Sequence, residues 1–129
     1  MSSILGIGLD LIDLGHFQTH YGEASSELLA RCFTTRELKD AGTGVNRTAR
    51  LAARFAAKEA TLKALGGGVG VSLTDIELLR DESGAPRLEL RGAARDIAEQ
   101  RGVGHFHVSL THSASSAAAV VIAVSKAPT

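Results

Sequence analysis

The chain has no tryptophan, one tyrosine, one methionine, one cysteine and two prolines in 129 residues. With Cys32 alone there is no internal disulfide to form and no C-x-x-C pair for metal or redox work, so a reducing, cytoplasmic setting is expected. Net charge is missing as well. Fourteen basic residues balance fourteen acidic ones, which argues against a nucleic-acid partner, whose protein footprint is strongly basic. Long apolar runs are also absent: the longest, Ala117 to Val124, is far below the roughly 20 residues that span a bilayer. Met1 to Leu14 carries Asp10 and Asp13 in its apolar stretch and no base before it, unlike a signal peptide. No membrane partner is expected.

What remains is small and aliphatic, with 20 Ala and 16 Leu against four Phe. A hydrophobic share of 44% over this length fits a single domain, residues 1–129, with a core of close-packed small side chains. The charges are unevenly placed: residues 1–30 sum to −4, residues 31–63 to +5 and the rest to −1. An acidic start beside a basic middle suits a cation and a polyanion held together, and is equally compatible with scatter.

Ile4 to Leu14 reads as a strand whose period of two places Gly6, Gly8, Asp10 and Ile12 on one face and Asp13 on the other. Phe17 to Phe33 reads as a helix softened at Gly22, and Thr34 with Glu37 makes a capping box for a short helix ended by Gly42. Ala49 to Leu65 is the strongest helix, with seven alanines, and Gly66 to Gly68 stop it. Thr74–Arg80 and Arg87–Arg91 pair through the turn at Asp81 to Gly84, and Ala93–Arg101 is a helix. His105–Thr111 and Ala117–Val124 form a second hairpin. One strand, helices, then mostly strands is an α+β order.

Glu59, on a helix otherwise rich in alanine, needs a compensating partner, because an unpaired carboxylate in a low-dielectric setting costs several kcal/mol. Two readings stand at this point. Lys63, four residues on, forms an ordinary helical ion pair with it; or Glu59 and Asp10 together hold a hard divalent cation, with Lys63 and Lys58 facing phosphate oxygens. Gly66, Gly67, Gly68 and Gly70 are first a helix stop, since no phosphate-loop pattern surrounds them, though bare backbone there admits close approach of a substrate. His105, His107 and His112 offer a conceivable zinc site. Ser113, Ser115 and Ser116 lack the frame of a nucleophile elbow.

Four blocks carry a resemblance: Gly6-Ile7-Gly8-Leu9-Asp10, Arg54-Phe55-Ala56-Ala57-Lys58-Glu59-Ala60 with Lys63-Ala64-Leu65-Gly66, Gly84-Ala85-Pro86, and His107-Val108-Ser109-Leu110-Thr111-His112. In order and spacing they resemble the holo-acyl-carrier-protein synthases, the short 4'-phosphopantetheinyl transferases. The resemblance implies that family's α+β fold, an antiparallel sheet around the alanine-rich helix, and a homotrimer with sites between subunits. It implies transfer of 4'-phosphopantetheine from coenzyme A to a serine of an acidic apo acyl carrier protein, releasing adenosine 3',5'-bisphosphate. Asp10 and Glu59 would be Mg²⁺ ligands. Lys63 would contact the diphosphate, and Glu59 or a water on the metal would take the serine proton. Arg54, Lys58, Gly66, Pro86, His107 and Ser109 would line the coenzyme A site.

Three positions depart from the family pattern. His16 stands where an arginine is usual, Ala85 where a lysine or arginine is usual, and Gly67 where a threonine or serine is usual. They leave the metal and lysine positions intact but weaken any expectation about carrier choice and coenzyme affinity. A coenzyme A or nucleotide-binding module without catalysis is the alternative reading.

Overall fold

Alternation along the first strand seats the rest of the molecule. In the computed structural model, which describes residues 2–22 and 26–127, β1 (Ile4–Asp13) turns Gly6, Gly8, Asp10 and Ile12 inward. α1 (Leu14–Tyr21) follows directly, its first turn capped by the Asp13 carboxylate accepting from the His16 backbone N–H at 2.8 Å. α2 (Ser26–Cys32), α3 (Thr35–Ala41) and the long α4 (Arg47–Ala64) come next. β2 (Ile76–Arg80) pairs with β3 (Pro86–Leu90), then α5 (Gly92–Gln100), β4 (Val103–His112) and β5 (Ser116–Ser125) complete the order. β1, β5 and β4 form one antiparallel sheet with β5 in the middle, and β2 with β3 forms a separate hairpin. The architecture is α+β.

Glycine makes the central contact possible. A Cβ on Gly6 or Gly8 would overlap the carbonyl oxygens of Ala64 and Ala60, so β1 lies directly on the backbone of α4. Alanines on that side of α4 (Ala56, Ala57, Ala60, Ala64) meet Ala119, Val121 and Ala123 of β5. On its other side, Leu51 and Ala52 meet Phe17 and Phe33. The all-round apolar character of α4 is therefore satisfied within one chain and needs no second subunit to explain it.

The unsatisfied apolar surface lies elsewhere. On the outward face of β1, Leu5, Ile7, Leu9 and Leu11 are 45, 64, 65 and 70% exposed.

The capping box at Thr34 and Glu37 forms as expected. The span from Phe17 to Phe33 divides instead into α1 and α2, with residues 23–25 outside the described residues. Thr74 belongs to a short 3-10 turn, Leu73–Asp75, and not to β2, because the Asp75 carboxylate closes that turn on the Ser72 backbone N–H at 3.3 Å. Among the described residues no helix is long and apolar enough to cross a membrane.

Candidate active site

The inward face of β1 brings Asp10 against the C-terminal turns of α4, where Glu59 and Lys63 sit one turn apart. The Lys63 Nζ donates to Asp10 Oδ1 at 3.2 Å and to the Leu9 carbonyl at 2.9 Å. Lys63 thus pairs across to the strand, and among the described residues Glu59 has no ion pair or hydrogen bond of its own. Burial pushes the Glu59 carboxyl above its ordinary value, the neighbouring Asp10 carboxylate pushes it further, and Lys63 only partly offsets the two. Two carboxylates crowd one lysine, which leaves local negative charge unbalanced.

That donor set can be tested against the groups it could hold. Mg²⁺ is a hard ion that takes one or two carboxylates and completes its shell with water and substrate phosphate, and Asp10 with Glu59 offers two such oxygen donors. Among the described residues there is no group of three or more His, Cys, Asp or Glu placed to hold a metal. The three-histidine zinc reading fails for this reason: His105 and His107 project from the outer face of β4, while His112, five residues past His107, falls on the opposite face.

Lys58, expected to face phosphate, does not. It is fully buried, as is its partner Glu37, and its Nζ donates to Glu37 Oε1 at 2.6 Å, the Leu73 carbonyl at 2.9 Å and the Ile76 carbonyl at 2.5 Å. All three ammonium protons are spent on protein. Burial pulls this lysine below its ordinary value against the opposing pull of Glu37. Glu37 also accepts from the backbone N–H of Leu78 and of Thr34, each at 3.0 Å, so one carboxylate ties α3, α4 and β2 together.

Arg54 lines a cavity of about 170 Å³ with Arg50, Arg80, Thr111 and His112. Its Nη1 donates to the Arg50 carbonyl at 3.0 Å, but its buried Nε has no partner. Burial and nearby Arg80 lower its pKa. Guanidinium groups lining one cavity suit a phosphate or carboxylate. Arg50, Arg80 and His112 were not among the predicted coenzyme residues; Arg80 is 26 residues from Arg54 in sequence, and only the fold joins them.

The remaining predicted positions are dispersed. Gly66 and Gly67 turn the chain at the end of α4 with φ of +83° and +127°, conformations only glycine adopts without strain, which accounts for glycine at 67. The Arg101 guanidinium lies over Gly66. Pro86 opens β3, and Ala85 closes the preceding turn through its backbone N–H to Asp81 Oδ1 at 3.1 Å. His107 and Ser109 sit on the outer sheet face, opposite the face that carries Asp10. Within one chain they do not join the carboxylates. A cleft of about 360 Å³ is lined by Leu11, His16, Phe17, Tyr21 and Phe55, the last one turn of α4 before Glu59.

Comparison with known proteins identifies the family and the fold. Residues 6–124 match the family model of the 4'-phosphopantetheinyl transferase superfamily. The chain is 40% identical over 125 residues to a holo-[acyl-carrier-protein] synthase of Clavibacter michiganensis subsp. michiganensis, covering 97% of this chain and 99% of that one. It is 43% identical over 121 residues to the same enzyme of Streptomyces avermitilis, covering 94% and 98%. The fold superposes on a Bacillus anthracis holo-(acyl-carrier-protein) synthase crystallised with CoA (3',5'-ADP), with a TM-score of 0.78, 33% identity, and coverage of 95% and 98%.

Proposed function

This chain belongs to the 4'-phosphopantetheinyl transferase superfamily as a holo-[acyl-carrier-protein] synthase, and we propose that it moves 4'-phosphopantetheine from coenzyme A to a serine of an acidic apo acyl carrier protein. The serine oxygen bonds to the pantetheine-side phosphorus, the phosphoanhydride bond breaks, and adenosine 3',5'-bisphosphate leaves. The observation that carries this reading is the convergence of Asp10, Glu59 and Lys63 from β1 and α4. Phosphoryl transfer needs mainly positioning and charge neutralisation, and this cluster offers both.

In this reading Asp10 and Glu59 hold Mg²⁺, which when bound neutralises charge on the diphosphate. Glu59, or a water held beside it, takes the serine proton. Lys63, whose side chain is 55% exposed, swings from Asp10 to the phosphate under attack. Arg54, with Arg50 and Arg80, supplies an anion-binding subsite for a phosphate of the coenzyme. Gly66 and Pro86 border the coenzyme, whereas Lys58 is withdrawn from it.

His107 and Ser109 reach the coenzyme only across a boundary between copies, which fits a homotrimer sealed by the outward leucines and isoleucine of β1. The apolar cleft at Phe55 and His16 is where the carrier's serine segment enters. Intact-protein mass spectrometry of apo carriers incubated with this protein, coenzyme A and Mg²⁺ tests the reading. The carrier gains the phosphopantetheine mass, and Glu59→Gln or Asp10→Asn abolishes the gain. Tight coenzyme A binding with no carrier modified would point to the non-catalytic module instead.

A further inference from the structure

The exposed side of α1 carries His16, Gln18, Thr19 and His20, and only the two histidines among these can take a charge. Standing four apart, they share one helix face, with ring centroids 4.4 Å apart and planes crossing at 71°. Among the described residues neither imidazole has an ion pair or a hydrogen bond. The polar residues between them are already engaged: Gln18 accepts from the Thr48 hydroxyl, and the Thr19 hydroxyl donates to the Gly15 carbonyl at 3.0 Å. Both histidines line the cleft shared with Phe17, Tyr21 and Phe55.

The other titratable and charged groups around this face are acidic or occupied. From β1, Asp13 accepts from the His16 backbone N–H at 2.8 Å. From α4 come Glu59, one turn past Phe55, and Arg47, whose guanidinium donates to the Gly42 and Leu38 carbonyls. Lys63 is turned to Asp10, and Tyr21 is hydrogen-bonded to Cys32 of α2. An acidic partner at this cleft therefore meets carboxylates unless the imidazoles carry protons. Imidazole is the side chain that ordinarily changes charge between about pH 5 and 8. On the reading that this chain modifies an acidic carrier, we propose that His16 and His20 set carrier recognition: as imidazolium ions they bind carboxylates beside the carrier's serine, and as neutral rings they release them. Two like charges in contact repel each other, and carboxylates of the carrier relieve that repulsion, so docking takes up protons. A face built on arginine would bind without that dependence.

The test takes an apo carrier that this chain modifies and omits coenzyme A, so that binding is read without calling on Glu59 as a base. Calorimetry measures affinity for the full chain at about pH 6 and about pH 8. Binding is about fivefold or more tighter at the lower pH, equal to about 1 kcal/mol. His16→Gln with His20→Gln removes the pH dependence and leaves binding weak throughout. His16→Arg with His20→Arg gives tight binding at both pH values, a rescue that a merely structural role would not produce. Circular dichroism checks that the variants fold. Equal affinity of the parent at the two pH values, an undiminished pH dependence in the glutamine variant, or weak binding by the arginine variant overturns the assignment. If no carrier is modified at all, the transferase reading itself falls, and this assignment falls with it.

Discussion

Two lysine–carboxylate pairs lie within five residues of each other on α4, and they are built in opposite ways. Lys58 and Glu37 meet at 2.6 Å with both side chains at 0% exposure, and backbone groups take up every remaining donor and acceptor. Lys63 and Asp10 meet at 3.2 Å with side chains 55% and 18% exposed, and Glu59 beside them has no protein partner among the described residues. The first pair is saturated, so its charge serves only to join α3, α4 and β2. The second is left short of positive charge, so it can still respond to a cation, a phosphate or an incoming hydroxyl. Which lysine acts on substrate is decided by this difference in satisfaction and not by closeness to the motif.

The largest effect that separates the two is on stability. Lys58→Met leaves the Glu37 carboxylate buried without its cation and lowers unfolding free energy by about 3–5 kcal/mol, read as a shift in urea midpoint. Lys58→Met with Glu37→Gln recovers most of this loss, because Gln keeps an acceptor for the Leu78 N–H without the charge. No recovery in the double variant would mean that packing, and not the ion pair, sets the cost. Lys63→Ala reverses the pattern: kcat falls by about 100-fold, while stability moves by less than about 1 kcal/mol, as for exposed pairs. If Lys63→Ala unfolds the chain and Lys58→Met spares it, the assignment of the two lysines is inverted.

Periodicity made much of this legible. The alternation of glycines with Asp10 placed that carboxylate against α4, and the capping box at Thr34 and Glu37 formed as read. At 100° per residue Lys58 falls among Leu51, Phe55 and Leu62 on α4, and that helix position is legible in the sequence although Lys58 was expected at phosphate. Its partner was not, since Glu37 reads as a cap residue and lies 21 positions away on another helix. The arginine cavity was hidden for the same reason: Arg54 and Arg80 share a site only after β2 docks on α4. Local pattern reports which face a residue takes, whereas the partner across that face is a tertiary fact.

The smallest expected difference is in how the two regions respond to acid. Around the sealed pair, burial would raise Glu77, but hydrogen bonds from the Thr34 hydroxyl and the Arg91 guanidinium outweigh it and hold its carboxyl below the ordinary value. Glu77 therefore contributes stability above its unfolded-state pKa that disappears as pH falls through the lower folded value. Glu59 is shifted the other way by burial and Asp10, so the folded chain binds its proton more tightly, and its contribution is lost as pH rises through the folded value. Denaturation in metal-free buffer checks both signs. Glu77→Gln is less stable than the parent at about pH 7 and converges on it toward about pH 3, whereas Glu59→Gln is slightly more stable at about pH 7 and loses that advantage in acid. Added Mg²⁺ at neutral pH narrows the gap between parent and Glu59→Gln by stabilising only the parent, because an ion that binds the folded carboxylates shifts the equilibrium by mass action. A Glu59→Gln variant less stable than the parent at neutral pH without metal would mean that Glu59 is already compensated by protein, and the contrast between a sealed and an open pair would fail.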